Sequence, residues 1–282
     1  MNENLLIADS GSTKTDWALG SLRLKTQGIN PFHQDDDSIR HILHEELLPQ
    51  LPNSSTPQLP NSPITSIHFY GSGVRPELEP RMERLLREAF PAAQHVEAHG
   101  DLLGAARALC GRHEGIACIL GTGANSCLYD GERIVQNTPP LGYILGDEGS
   151  GAVLGVRFLN ALYKGRLPEN LRQEFEATTG LTLAAVIEHV YRQPLANRWL
   201  ASLSVFIRDH VGLAAVRELV VSNFRDFIRL NVKPYQRPDL LLSAVGSIAF
   251  YYAEQLEEAA DKEGYAVGTI LRSPIDGLVN LE

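Results

Sequence analysis

IADSGSTKTDW, residues 7–17, places a glycine, small hydroxyls and a Lys-Thr pair directly behind an apolar run. That chemistry suits phosphate, but the Walker A loop requires G-x-x-x-x-G-K-[ST] leading into a helix. Here no glycine precedes Lys14, and TDWALG reads as a returning strand. The P-loop reading fails. A tight hairpin can still cradle an anion, because successive backbone N–H groups of a turn form a positive concavity. Gly11 permits close backbone approach, and Ser12, Thr13 and Thr15 add hydroxyls. Asp9 at the strand end suits a hydrated Mg2+, which takes one or two carboxylates plus phosphate oxygens. An ordinary hairpin with Asx and Ser turn chemistry accounts for the same residues.

Outward from this stretch, the chain alternates strands and helices, which implies an α/β architecture. DDDSIRHILHEELLPQL has Ile39, Ile42, Leu43, Leu47 and Leu48 at helical spacing, with Asp37 or Ser38 placed to cap it. LPNSSTPQLPNSP, with LPNS twice, reads as an exposed loop because proline opposes both helix and central strand. ITSIHFYGSGV is a strand running into glycine, followed by a helix from about Pro76 to Phe90. GIACILGTGANSCLYDGERIV repeats the opening outline of strand, small-residue turn and strand, and ends in an Asp130-Gly131 hairpin. LGYILGDEGSG is a glycine-rich loop with a helix behind it, and residues 171–232 are mostly helical. DLLLSAVGSIAF is a third junction of strand, glycine and helix, and AVGTILRS is a last short strand before a helical tail. Glycine turns at three strand ends imply a ligand gathered in a cleft.

The bulk numbers exclude some partners. With 282 residues, 44% apolar and 21% charged, the chain suits two modest domains or one large one. A formal charge of −9 argues against nucleic acid, which is held by basic patches. No apolar stretch is long enough to span a bilayer, and MNENLLIADS has no basic n-region or cleavage site. The expectation is a cytoplasmic protein with no membrane partner. Cys110, Cys118 and Cys127 lack paired metal spacing and read as free thiols.

DSGSTKTDW, LGTGANS, GYILGDEGSG and LLSAVGSIAF, in that order, resemble the N-acetylglucosamine kinase branch of the actin/hexokinase/Hsp70 superfamily. More closely, the chain is similar to the BadF/BadG/BcrA/BcrD-type ATPases over its whole length. The most specific element is GDEGSG downstream of GTGANS. The resemblance implies two actin-like (ribonuclease H-like) domains, mixed sheets flanked by helices, closing on ATP and sugar in the cleft between them. It places one domain at 1–106 and the other at 107–267, with the tail 268–282 packing back on the first. It implies a first phosphate loop at Gly11, Ser12 and Thr13 and a second at Gly121, Thr122 and Gly123. Asp9 would serve Mg2+, and Gly246 and Ser247 would meet the adenosine. Asn30, Asn125 and Asp147 would bind the sugar, with Glu148 an additional contact and Asp101 the catalytic base. Kinship also implies a homodimer.

Asp101, directly before a helical run, equally fits a helix cap. Asp147 and Glu148 fit plain loop carboxylates, although enclosing two carboxylates without partners is costly and sugar hydroxyls are such partners. Lys14 fits a phosphate ligand or a solvated hairpin lysine, and His95 and His99 fit structural roles. The expected activity is ATP-dependent phosphorylation of the 6-hydroxyl of an amino sugar, with N-acetylglucosamine first and N-acetylmuramic acid or glucosamine as rivals. Two other classes remain: an ATPase that activates 2-hydroxyacyl-CoA dehydratases or benzoyl-CoA reductases through a cysteine-held iron–sulfur cluster, and a non-catalytic sugar sensor.

Overall fold

In the computed structural model, the described residues are 4–11, 13–51 and 64–281. Ser12 and most of the LPNS-repeat stretch therefore lie outside the described residues. The chain divides into two compact units, one of Met1–Gly111 with Ser273–Glu282 and one of Arg112–Arg272.

The first unit is built on β1 (Leu5–Ser10), β2 (Lys14–Leu19), β3 (Leu22–Gln27), β4 (Ser66–Gly71) and β5 (His95–Gly100). Their order in the sheet is β3-β2-β1-β4-β5, with β1, β2 and β3 antiparallel and β4 and β5 parallel to β1. β1 is apolar on both faces because both are covered. Leu6 and Ala8 join Trp17, Phe69 and Leu85 on one side, while Leu5 and Ile7 meet Tyr70, Ile275 and Leu278 on the other. Strand β3 was not read from the sequence; its alternation of Leu22, Leu24 and Thr26 with charged Arg23 and Lys25 is the pattern of a half-exposed edge strand.

Helix α1 (Asp36–His41) is capped by Asp35, whose carboxylate accepts the Ser38 N–H at 2.9 Å, and not by Asp37 or Ser38. Asp36 is held instead by Arg81 and Arg84, at 2.6 and 2.5 Å. Helix α2 (Glu79–Ala89) starts a few residues later than its sequence suggests, and α3 (Asp101–Cys110) follows β5 without a loop.

The second unit repeats the topology. β6 (Gly115–Leu120), β7 (Ala124–Tyr129) and β8 (Ile134–Asn137) form the antiparallel part. β9 (Leu242–Val245) and β10 (Val267–Leu271) run parallel to β6, in the order β10-β9-β6-β7-β8. Between β8 and β9 the chain forms α4 (Gly142–Leu145), α5 (Gly151–Tyr163), α6 (Glu169–Thr179), α7 (Leu183–Tyr191), α8 (Ala196–Ser202), α9 (Ser204–Asp209) and α10 (Ala214–Phe227). Helices α11 (Ser247–Tyr251) and α12 (Ala253–Glu263) separate β9 from β10. Their core joins Leu120 and Ala244 of the sheet to Phe158, Phe175, Phe224 and Phe227.

Both unit boundaries differ from 106 and 267. Helix α3 continues unbroken to Cys110, and residues 268–271 belong to β10, paired with β9. The return to the first unit is therefore helix α13 (Pro274–Leu281), whose Ile275, Leu278 and Val279 cover Leu5 and Ile7.

A buried carboxylate braces the second unit. Glu263, whose side chain is 3% exposed, meets Arg225 at 2.8 Å, Arg229 at 2.8 Å and Lys233 at 2.7 Å. Burial alone would raise its pKa, but the three cations outweigh that and hold it at about 2. The unfolded chain takes up this proton near 4.5, so the stabilisation is complete above that pH and is lost as pH falls toward about 2. Glu263→Gln is expected to lower unfolding stability at pH 7 by about 2 kcal/mol. It should also flatten the acid limb of the stability curve; urea melts at pH 7 and pH 3 that match wild type would refute the brace.

Candidate active site

The parallel strands of the first unit end in register, with Ser10, Gly71 and Gly100 side by side. One residue earlier, Asp9 aligns with Asp16, Tyr70 and His99 across four strands. The C-terminal edge of parallel strands is where α/β folds gather ligands. Asp9 and Asp101 converge there. Burial, then the charges of Asp101 and Asp16, raise the Asp9 pKa from 3.8 to about 7, opposed by Lys14 and a Ser273 hydroxyl bond. Burial also raises the Asp101 pKa, against the N–H groups of Leu102 and of Asp101 itself.

Asp101 keeps part of a capping role from inside the helix. Gly100 occupies the cap position of α3 and Asp101 is the first helical residue. Its carboxylate accepts N–H groups at the very start of the helix, where the backbone dipole favours negative charge.

The hairpin residues divide into structural and available groups. Thr15 is buried, with its hydroxyl 2.7 Å from that of Ser10 and donating to the Gln27 carbonyl at 3.0 Å. It fastens the turn and offers no ligand donor, contrary to the sequence reading. The Gly11 N–H closes the turn on the Lys14 carbonyl at 3.0 Å, so it is already engaged as a donor. Thr13 is exposed. Lys14 pairs with Asp16 at 2.5 Å. His99 is a structural residue, its ring between Glu79 at 3.1 Å and Glu97 at 3.4 Å. Asn30 accepts the Phe32 N–H at 3.0 Å and lies over Gly73, after β4. Arg75 stacks on Phe32, 4.1 Å from the ring centre.

In the second unit the same sheet edge carries the other candidates. The Gly121 N–H closes its turn on the Gly123 carbonyl at 3.0 Å. The Gly121 and Thr122 carbonyls accept the Gly151 and Ala152 N–H groups at 2.8 and 3.2 Å, so the turn satisfies the first orphan donors of α5. With its carbonyls turned to that helix, the Thr122 and Gly123 N–H groups remain without intramolecular partners among the described residues.

Asp147 adopts a left-handed backbone (φ 56°). Burial pushes its pKa up, while the N–H groups of Ala124 and Gly142 oppose the shift and tie the GDEG loop to the turn. Glu148 accepts from Asn231 at 3.3 Å. Asn223, fully buried, bonds Gly149 N–H and the Ser150 carbonyl at 3.3 Å each, fixing the loop from behind. The Asn125 carbonyl oxygen is taken by Ser126 N–H at 2.9 Å and Asn137 at 3.0 Å, leaving its NH2 to act as a donor. At Gly246 (φ 123°) any side chain would strike the Leu120 carbonyl at 2.3 Å, so glycine is required where this turn crosses the end of β6.

Beside Gly121, Thr122 and Ser247 opens a cavity of about 300 Å³, walled by Arg198, Arg208 and Tyr251. None of these three was singled out from the sequence. They sit in helical stretches with no motif around them, and only the packing of α8, α9 and α11 brings them to the turn. No group of three or more metal-ligating side chains occurs among the described residues. No helix among them is long and apolar enough to cross a membrane.

No protein-family model matches the chain, and no curated protein matches it. Among solved structures it is similar to a candidate N-acetylglucosamine kinase from Porphyromonas gingivalis, with 48% identity, 98% of each chain covered and a TM-score of 0.91. It also resembles a candidate N-acetylglucosamine kinase from Chromobacterium violaceum, at 16% identity, 98% coverage of each chain and a TM-score of 0.70. A non-polymerising MamK mutant bound to AMPPNP shares the fold at 13% identity and a TM-score of 0.50, over 98% of this chain and 97% of that one. The two mixed five-stranded sheets with their helices are the actin-like ATPase fold. The chain belongs to the same family as the candidate N-acetylglucosamine kinase of Porphyromonas gingivalis.

The raised pKa of Asp9 carries a stability consequence. The native state holds this proton more tightly than the unfolded chain, so ionising Asp9 destabilises the ligand-free protein as pH rises from 3.8 toward about 7. Asp9→Asn keeps an acceptor for Ser273 and removes the charge. It should stabilise the protein at pH 8 by about 1 kcal/mol, discounted for partial exposure, and have no effect at pH 4. Denaturation midpoints that fall at pH 8 would refute it.

Proposed function

We propose that the chain is an ATP-dependent kinase for the 6-hydroxyl of an N-acetylated amino sugar, with N-acetylglucosamine as the first acceptor. The observation that carries this reading is the convergence of Asp101 and Asp9 at the strand ends of the first sheet. Asp101 accepts the proton of the attacking sugar hydroxyl. Burial makes its carboxylate more basic than usual, which suits proton acceptance, and the helix N-terminus holds it in place. The exposed Thr13 and the unpartnered Thr122 and Gly123 N–H groups hold phosphate oxygens. Asn30, Asn125, Asp147 and Glu148 bind the sugar, and Gly246 and Ser247 border the adenosine.

Asp9 fits Mg2+ on the chemistry of its donors. Three carboxylates, Asp9, Asp16 and Asp101, raise the negative potential there, with Lys14 the opposing cation. Magnesium keeps several waters and needs only one or two carboxylates beside phosphate, so a full protein cage is not required. When bound, Mg2+ neutralises charge on the transferring phosphoryl group.

A rival acceptor has support of its own. N-acetylmuramic acid carries a lactyl carboxylate that needs a cation, and Arg75 lies on Phe32, two residues from Asn30. The test is ADP release with N-acetylglucosamine, N-acetylmuramic acid and glucosamine. Stimulation by an N-acetylated sugar is expected; no sugar raising turnover above basal hydrolysis would eliminate the kinase reading. Asp101→Asn should lower kcat by about 10²–10⁴-fold with sugar binding kept. Unchanged kcat would remove Asp101 as the base. Protonation of Asp9 competes with the cation, so apparent Mg2+ affinity should climb as pH rises and level off above about 7. Initial rates over a magnesium series at pH 6, 7 and 8 would show it, and a pH-independent affinity would exclude Asp9 as ligand.

A further inference from the structure

The cavity beside the second turn is chemically lopsided. Its wall carries two guanidinium groups, Arg198 and Arg208, and otherwise only neutral polar groups, the hydroxyls of its serine, threonine and tyrosine residues. Among the described residues, no carboxylate or carboxamide side chain lines it. The acceptors that remain are weak or already engaged. The Ser204 carbonyl accepts the Tyr252 hydroxyl at 2.5 Å, and the Ser202 hydroxyl gives its proton to the Trp199 carbonyl at 2.6 Å, leaving neutral oxygen lone pairs.

Arg208 is held at one side of this wall. Its guanidinium carbon lies 5.0 Å from the centre of the Tyr251 ring, and its ion pair with Asp209 is long, at 3.4 Å. Arg272, just past β10, lies 5.6 Å from the same ring. Tyr251 is 42% exposed, so an aromatic face with cations around it borders the opening. A flat, acceptor-bearing ring suits such a surface, because guanidinium planes stack on aromatics and fork onto paired acceptors.

Purines differ at that acceptor edge. Guanine presents O6 and N7 together, the pair that a guanidinium meets bidentately, whereas adenine presents N7 beside an N6 amino donor. A pocket that rejected guanine would place an acceptor for N6 and keep cationic donors away. Two guanidinium groups stand in the wall of this one, and the oxygens it offers an amino group are those of neutral hydroxyls and backbone carbonyls. We propose that the cavity seats the purine of the phosphoryl donor and admits guanine alongside adenine, with Arg208 reading the O6/N7 edge and Arg198 supporting it. The inference rests on the nucleotide half of the kinase reading and makes the protein a kinase that uses GTP as well as ATP.

Binding measured without any sugar separates this proposal from the choice of acceptor. Isothermal titration of the full chain with ADP and with GDP is expected to give dissociation constants within about tenfold of each other. Arg208→Met should weaken GDP at least tenfold more than ADP, the size of one lost bidentate base contact. Arg208→Lys keeps the charge and loses the fork, so it should reproduce that selective loss. A purely structural or phosphate-binding role would shift both nucleotides equally and leave their ratio unchanged. If Arg208→Met does not fold, Arg208→Lys and Arg198→Met carry the same comparison. GDP binding more than about a hundredfold weaker than ADP, an unchanged ratio in the variants, or no binding of either nucleotide would overturn the proposal. Comparable binding of both with no amino sugar phosphorylated would uphold the pocket and discard the acceptor alone.

Discussion

In each sheet the parallel strands stop at a common level. Ser10, Gly71 and Gly100 end together in one, and Ile119, Val245 and Leu271 are aligned near the strand ends in the other. Backbone pairing enforces this level, because a slip of one residue would turn every buried side chain to the wrong face. Leu5 and Ile7 would then exchange sides with Leu6 and Ala8, and two filled cores would lose their shape. The register that protects the cores also fixes where Asp9 points. Asp101, one residue past its strand, is brought to Asp9 by the same constraint.

The first unit accepts an electrostatic penalty at that edge. Two carboxylates with raised pKa values stand close together, and the neighbouring cation, Lys14, is paired to Asp16. Elsewhere the protein treats buried charge differently. Glu263 is enclosed by three cations and held at about 2. The contrast separates a carboxylate whose charge is compensated by cations from two whose burial is not fully compensated, a perturbation characteristic of functional sites.

The duplicated topology is elaborated unequally. Each unit has an antiparallel three-strand hairpin set and two parallel strands, but the second inserts α4 to α10 between β8 and β9. That insertion supplies Asn223 behind the GDEG loop and the arginine wall beside the glycine turn. The turn's carbonyls face α5, and the Thr122 and Gly123 N–H groups have no intramolecular partner among the described residues. The strand topology is common to both halves, while the inserted helices are particular to the second.

Periodicity and turn residues are local properties, and they are legible in the chain. The apolar run of β1, the failure of the P-loop pattern, the second strand-turn-strand and the alternation that makes an α/β fold were all read from neighbours in sequence. Edge strand β3, the Asp35 cap and the fate of Thr15 escaped because each depends on which competing local partner wins. The sequence by itself determined the central strands β1, β2, β4, β6, β7 and β9 and the glycine turns, and it singled out the carboxylates, but it did not show β3 or β5. Tertiary structure alone decided which groups were already engaged: Thr15 by Gln27, Gly11 by Lys14 and the Asn125 oxygen by Asn137. It also brought Arg198, Arg208 and Tyr251 to one cavity. A hydrogen bond or a pocket wall is set by proximity in space, and residues separated by a hundred positions acquire that proximity only when the sheets and helices pack.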